Sequence, residues 1–278
     1  MAVLSGIIRV IEKAARKAGN KLRRDFGEVE HLQVSRKGPS DFVSKADQAA
    51  ERIIWDELKV ARPDWGFLFE EAGELPGDPT KPRFVVDPLD GTSNFLHGIP
   101  HFAVSIAVQE PRLDGDKSKN GGWGEVTAGI VYQPINDESF WAEKTRGAWL
   151  QDRRLRVSAR RHLDESLIAT GIPFANRGDA AQWSKIYQEL APQVAGIRRF
   201  GSAALDLAWV AAGRYEAFWE RDLQPWDTAA GGLLVREAGG FVSDWRGVSQ
   251  PICDATIVAG NDALHSRLHK ILAQAVKA

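Results

Sequence analysis

The sequence predicts a mixed α/β fold arranged as two lobes, and three observations carry that expectation. Residues 3–26 place apolar side chains at helical spacing, and a second helix at about 45–61 is bounded by a capping box and a proline. Between about 66 and 170 the pattern changes to short β-rich runs separated by Gly, Pro, Asn and Asp. From about 171 onward helical and strand patterns alternate, as expected of an α/β unit. The predicted division is an N-terminal α+β lobe, 1–165, and a C-terminal α/β lobe, 166–278, joined near 150–175. With no internal repeat and no Pro- or Ser-rich linker, the lobes are expected to pack on each other with a ligand cleft between them.

In the first helix Leu4, Ile7, Ile8, Ile11, Ala14, Ala15, Ala18 and Leu22 recur at steps of three and four. The second opens at Ser44, with Asp47 three residues on as in a capping box, and stops before Pro63. The runs GFLF, RFVVD, FAVSIAV, VTAGIVY, AWL and SLIAT then predict an antiparallel or mixed sheet packed on these helices. Beyond them come helices near 182–192, 202–213 and 227–239, and a last one from Asn261. Strands are predicted near 197–200 and at YEAFWE, GFVSD and TIVAG.

Composition narrows the function classes. The chain has 278 residues, 44% hydrophobic and 26% charged, as in an ordinary globular protein, and a formal charge of −1 supplies no global basic field for nucleic acid or membrane. Cys253 is the only cysteine, which excludes an internal disulfide and thiolate-clustered zinc or iron sites. The amino terminus carries charges every few residues and reads as neither signal peptide nor membrane span. A reducing cytoplasm is the expected location.

The chemistry concentrates in RFVVDPLDGTSNF, where a strand stops abruptly at Asp87, Pro88, Leu89, Asp90, Gly91 and Thr92. Asp-Pro and Asp-Gly are also strong turn formers. The pair Glu70–Glu71 ends the run GFLF, and Asp227 in PWDTAAG stands at a predicted helix start, where an Asp also serves as a cap. Taken singly, each of these acidic residues, Asp47 included, is explained as a loop, turn or cap. Together they place several hard oxygen donors at strand and helix ends.

In combination the motifs resemble the inositol monophosphatase family over nearly the whole chain. The resemblance rests on the Glu-Glu pair after a strand, DPLDGTSNFLHGIPHFAVSIAV, GSAALDLAWVAAGRYEAFWE and PWDTAAGGLLVREAGG, in that order. It implies a layered αβαβα sandwich of the sugar-phosphatase type, with the active site between two lobes. It also implies a lithium-sensitive, Mg²⁺-dependent phosphomonoesterase, usually dimeric, that hydrolyses myo-inositol monophosphate. One metal would be held by Glu70, Asp87 and the Leu89 carbonyl, a second by Asp87, Asp90 and Asp227, and a third, weaker one would sit beside Lys37. Oxygen-only donors suit Mg²⁺ or Mn²⁺ rather than zinc, and two such ions serve in-line phosphate displacement. By the same resemblance Thr92, paired with Asp47, orients and deprotonates the attacking water together with Glu70. The amides of Gly91 and Thr92 face the phosphate, and Asp90, Ser202, Ala203, Glu220 and Asp227 line the substrate. Rival substrates are fructose bisphosphate, histidinol phosphate, NADP and adenosine 3′,5′-bisphosphate, since the donor set does not separate them.

Other signals have simpler explanations. Asp114, Asp116, Ser118 and Glu125 have a calcium-loop flavour, but Lys119 stands where Gly is required, so PRLDGDKSKNGGWGE reads as a long hairpin loop. RRLRVSARR carries five arginines between 153 and 161, readable as a charged strand edge or as a contact for nucleic acid or a protein partner, for which the family resemblance implies the transcription machinery, RNA polymerase included. His97 and His101 have no second imidazole or thiol at ligand spacing and read as loop and packing residues. Ten tryptophans are expected mostly in the core, with Trp226 lining the cleft.

Overall fold

The computed structural model describes residues 4–28, 34–36, 42–112, 123–174, 178–248 and 256–277, with backbone alone at 34–36, 42–44 and 275–277. Lys37, Cys253, the Ser44 side chain and the loop residues Asp114, Asp116, Ser118 and Lys119 lie outside the described set. Helix α1 (Gly6–Phe26) is capped by Ser5, whose hydroxyl accepts from the Ile8 amide at 3.2 Å, and it buries Ile8, Ile11, Ala14, Ala15, Ala18 and Leu22. Helix α2 (Lys45–Ala61) lies against it and buries Ala46, Asp47, Ala50, Ile54 and Leu58. Between them in sequence, strands β1 (Val34–Arg36) and β2 (Phe42–Ser44) form an antiparallel pair.

The large sheet contains β3 (Gly66–Phe69), β4 (Gly73–Leu75), β5 (Arg83–Asp90), β6 (Ala103–Pro111), β7 (Trp123–Gln133), β8 (Glu138–Glu143), β9 (Gly147–Leu150) and β10 (Arg153–Arg154). Its order is β10-β9-β8-β7-β6-β5-β3-β4, mixed because only β3 and β5 run parallel. Every residue of β5 is buried, and after Arg83 this central strand runs apolar from Phe84 to Val86 before its carboxylates Asp87 and Asp90. Helix α3 (Thr92–Leu96) is a single short turn after β5.

The smaller sheet joins β11 (Leu167–Thr170), β12 (Gly196–Arg198), β13 (Ala217–Arg221), β14 (Phe241–Ser243) and β15 (Thr256–Gly260) in the order β12-β11-β13-β15-β14. Around it lie α4 (Ala180–Leu190), α5 (Ala203–Ala211), α6 (Pro225–Glu237) and α7 (Asp262–Lys277).

Three apolar clusters define the layers. One joins α1 and α2 to the large sheet through Ile8, Leu22, Ile54, Phe84, Ile106 and Ile130. A second joins the other face of that sheet to α5, α6 and the smaller sheet through Val85, Phe140, Leu207, Ala230, Phe218 and Ala259. The third packs α4 and α7 on the far face, around Ile186, Leu268, Trp219 and Val258. The result is an αβαβα sandwich. The middle helical layer is packed very closely: a methyl added at Gly231 of α6 would come within 2.5 Å of Leu207 Cβ on α5, and one at Gly129 of β7 within 3.0 Å of Ala230 Cα.

Strand β8 was not among the predicted elements. ESFWAE buries Ser139, Phe140, Trp141 and Ala142 consecutively, so the alternation that marks a half-exposed strand is absent. The arginine run begins on the edge strand β10, where Arg153 and Arg154 are exposed, as expected of a charged sheet edge.

Candidate active site

Strand β5 delivers Asp87 and Asp90 to its carboxyl end, where a register irregularity against β6 between the two breaks the ladder. Asp87 Oδ1 accepts from the Leu89 amide at 2.9 Å, closing the turn, and the Thr92 hydroxyl donates to the Leu89 carbonyl at 3.0 Å. Gly91 follows with φ +96, and a methyl there would lie 3.0 Å from the His101 carbonyl oxygen. Both conformation and space therefore require glycine here.

Two further elements close on this turn. Ser202, at the N-terminus of α5, donates its hydroxyl to Asp90 Oδ2 at 2.6 Å, and the Ala204 amide donates to the same oxygen at 2.8 Å. Asp227, in the first turn of α6, accepts from the Gln224 amide at 2.7 Å in a reciprocal capping box. The Trp226 carbonyl accepts from the Ser105 hydroxyl at 3.1 Å, tying the start of α6 to β6. Asn94 donates to the His101 and Phe200 carbonyls, at 2.8 and 2.7 Å, and locks α3 to the segment before α5.

The carboxylates form two groups. Oxygens of Asp87, Asp90 and Asp227 lie within 4.8 Å of one another, as do those of Asp47, Glu70 and Glu71. Glu70 groups with Asp47 and Glu71, and its charge also acts on Asp87, with which the sequence reading sets it at one metal. Glu71 was missed as a member because an acidic pair after a strand does not show which carboxylate turns inward. Its amide donates to Glu51 of α2 at 3.1 Å, which brings the post-β3 turn over that helix. The Thr92 hydroxyl, expected to work with Asp47, directs its proton to the Leu89 carbonyl. Ser202, expected against substrate, spends its proton on Asp90.

Electrostatics matches this crowding. Burial, then the charges of Glu70, Asp90, Asp227 and Asp47, push Asp87 well above the usual carboxylate range. Burial and Asp90 do the same to Asp227 against the Gln224 amide. Burial lifts Asp90 to about 6 despite the bonds from Ser202 and Ala204. Such a site favours a cation, and the oxygen-only donor set fits a hard divalent ion.

Beside the cluster is a cavity of about 390 Å³, lined among others by Glu70, Asp90, Thr92, Ala203, Glu220 and Asp227. Glu220, at the end of β13, is pushed up to about 8 by burial and by Asp90, against the pull of Arg199. Trp226 lines the cavity, as do Trp183 and Arg199, which sequence reasoning passed over. Asp206 of α5 was also missed: it is buried, and burial with Glu220 and Asp90 nearby raises it well above the usual range. Of the two histidines, His97 is exposed, and His101 is buried against Phe200 and Trp209.

Hard-oxygen clusters beside one cavity in an αβαβα stack define a class, the metal-dependent phosphatases of layered sandwich fold. The chain belongs to the inositol monophosphatase family, whose pattern matches residues 4–278. It is 49% identical over 268 residues to inositol-1-monophosphatase of Rhizobium meliloti (strain 1021), covering 96% of each chain. It is 44% identical over 255 residues to Nus factor SuhB of Escherichia coli (strain K12), covering 92% of this chain and 91% of that one. Among solved structures, the extragenic suppressor protein suhB from Bartonella henselae superimposes with a TM-score of 0.89 at 51% identity, covering 96% of this chain and 98% of the other.

Proposed function

We propose that the protein hydrolyses myo-inositol monophosphate to inositol and phosphate in the cytoplasm, as a Mg²⁺-dependent, lithium-sensitive homodimer. The observation that carries this reading is the convergence of Asp87, Asp90 and Asp227 beside a cavity that Glu220 also lines. Glu70, Asp87, Asp90, Asp227 and the Leu89 carbonyl would hold the ions, with Mn²⁺ an alternative, and the metal would supply water activation and charge neutralisation at the leaving oxygen. Glu70 and Asp47, with Thr92, orient the attacking water and take up its proton. The Gly91 and Thr92 amides face the phosphate, while Asp90, Ser202, Ala203, Glu220 and Asp227 bound the ring hydroxyls. Ser202 and the Ala204 amide keep Asp90 ionised and aimed, which is a positional duty. A third ion beside Lys37 falls outside the described residues.

A phosphate-release panel tests the assignment, with myo-inositol 1-phosphate against fructose bisphosphate, histidinol phosphate, NADP and adenosine 3′,5′-bisphosphate. The inositol ester is expected to have the highest kcat/KM, and a clear preference for another ester would reassign the substrate. Homodimerisation is checked by light scattering on the eluted protein.

A second reading concerns transcription. It is supported by the likeness to a Nus factor and by five exposed arginines at 153, 154, 156, 160 and 161, of which Arg160 is paired with buried Glu216. If the run contacts RNA, alone or on RNA polymerase, affinity falls steeply with added salt. An anisotropy titration showing no binding at low salt removes this role.

A further inference from the structure

Gly171 directly follows β11, and its neighbour Thr170 pairs with Trp219 of the parallel strand β13. The next residue of β13 is Glu220, and both Gly171 and Glu220 line the cavity. A methyl placed on Gly171 would fall 1.9 Å from Glu220 Oε1, 2.2 Å from Cδ and 2.7 Å from Cγ. The carboxylate arm thus lies flat against the Gly171 backbone. The φ of Gly171 lies outside the left-handed region, so an L side chain is excluded by space rather than by conformation.

The peptide cannot easily retreat. Its carbonyl accepts from the Trp183 indole at 2.7 Å and from the Thr170 hydroxyl at 3.0 Å, which fixes it to α4 and to its own strand. On the other side Arg221, next to Glu220, donates to Gln182 of α4 at 2.6 Å. Any group added at 171 must therefore displace the Glu220 side chain.

We infer that Gly171 is a specificity-determining positioning residue: its missing side chain is the slot in which Glu220 rests so that its carboxylate can meet the hydroxyls of a polyol phosphate. This rests on the function proposed above and deepens it. The phosphoryl end of the site, at Asp87, Asp90 and Asp227, is built from β5 and α6 and not from the strands β11 and β13 that form this slot. Filling the slot therefore costs recognition of the polyol more than handling of the phosphate.

The test compares the parent with Gly171→Ala, Glu220→Ala and the double variant. Each is assayed with Mg²⁺ on myo-inositol 1-phosphate and on p-nitrophenyl phosphate, which carries no ring hydroxyls. In Gly171→Ala the polyol-to-aryl ratio of kcat/KM should fall about tenfold or more, chiefly through the polyol KM, as expected when a buried hydrogen bond to the substrate is lost. The Glu220→Ala ratio should fall by a similar factor, and the double variant should fall no further. A parallel loss on both substrates, an unchanged ratio, or full additivity in the double variant would overturn the assignment. If Gly171→Ala melts far below the parent, restoration of the melt in the double variant supports the clash with Glu220, and failure to restore it overturns it. A parent that does not turn over the polyol phosphate contradicts the proposed function itself, and this assignment with it.

Discussion

Asp90 ties the acidic cluster to α5 through one oxygen that accepts from both Ser202 and Ala204. Asp90→Asn keeps an acceptor there and removes one charge from a crowded group. Like charges about 4–6 Å apart repel by roughly 1 kcal/mol even in a watery dielectric. The metal-free variant is expected to melt at or above the metal-free parent, to lose the parent's gain with Mg²⁺, and to lose catalysis by orders of magnitude. A loss of about 1 kcal/mol or more with activity retained would make Asp90 a structural cap instead. Glu220 gives a pH signature of its own. Its folded pKa, about 8, is raised above the ordinary 4.5 by burial, so its stabilising contribution is full below about 4.5 and is lost as pH rises through about 8. In chelator, Glu220→Gln should therefore melt higher relative to the parent at pH ~9 than at pH ~5; a constant difference would refute the shift. These residues were legible in sequence because short motifs bring them along. Glu71, Asp206 and Gly171 were not, since their roles depend on which way a turn faces and on what an adjacent strand carries.

At the scale of elements, the α5–α6 layer is set by two glycines with opposite demands. A methyl at Gly231 would meet Leu207 Cβ at 2.5 Å and Cδ1 at 2.8 Å, whereas the nearest atom to one at Gly232 is Arg236 Nη1 at 3.7 Å. Gly231→Ala should destabilise by about 1–3 kcal/mol through overpacking. Gly232→Ala should be neutral or stabilising by up to about 1 kcal/mol, from helix propensity. Denaturant melts at constant slope check the pair, and equal effects would contradict the close approach. Helices α1, α2 and α6 were readable from their spacing and breakers. Strand β8 was not, because burial on both faces erases the alternation that a single sequence can reveal.

Across the whole molecule, the proposed lobes 1–165 and 166–278 divide the sequence, but one apolar cluster crosses that line. Leu207 and Ala230 from the second segment share it with Val85 and Phe140 from the first. A single calorimetric transition is therefore expected, and two separated transitions would show that the segments fold independently. The sandwich as a whole was legible only through the resemblance of long ordered motifs, since periodicity gives elements and not their stacking. The central claim is that the clustered carboxylates work by holding metal. Phosphate release from myo-inositol 1-phosphate, measured on protein stripped with chelator and then titrated with Mg²⁺, tests it most directly. The account predicts no turnover in chelator and recovery with added Mg²⁺, together with a rise in melting temperature from preferential binding to the folded state. Full turnover in excess chelator, with no metal bound, would contradict it.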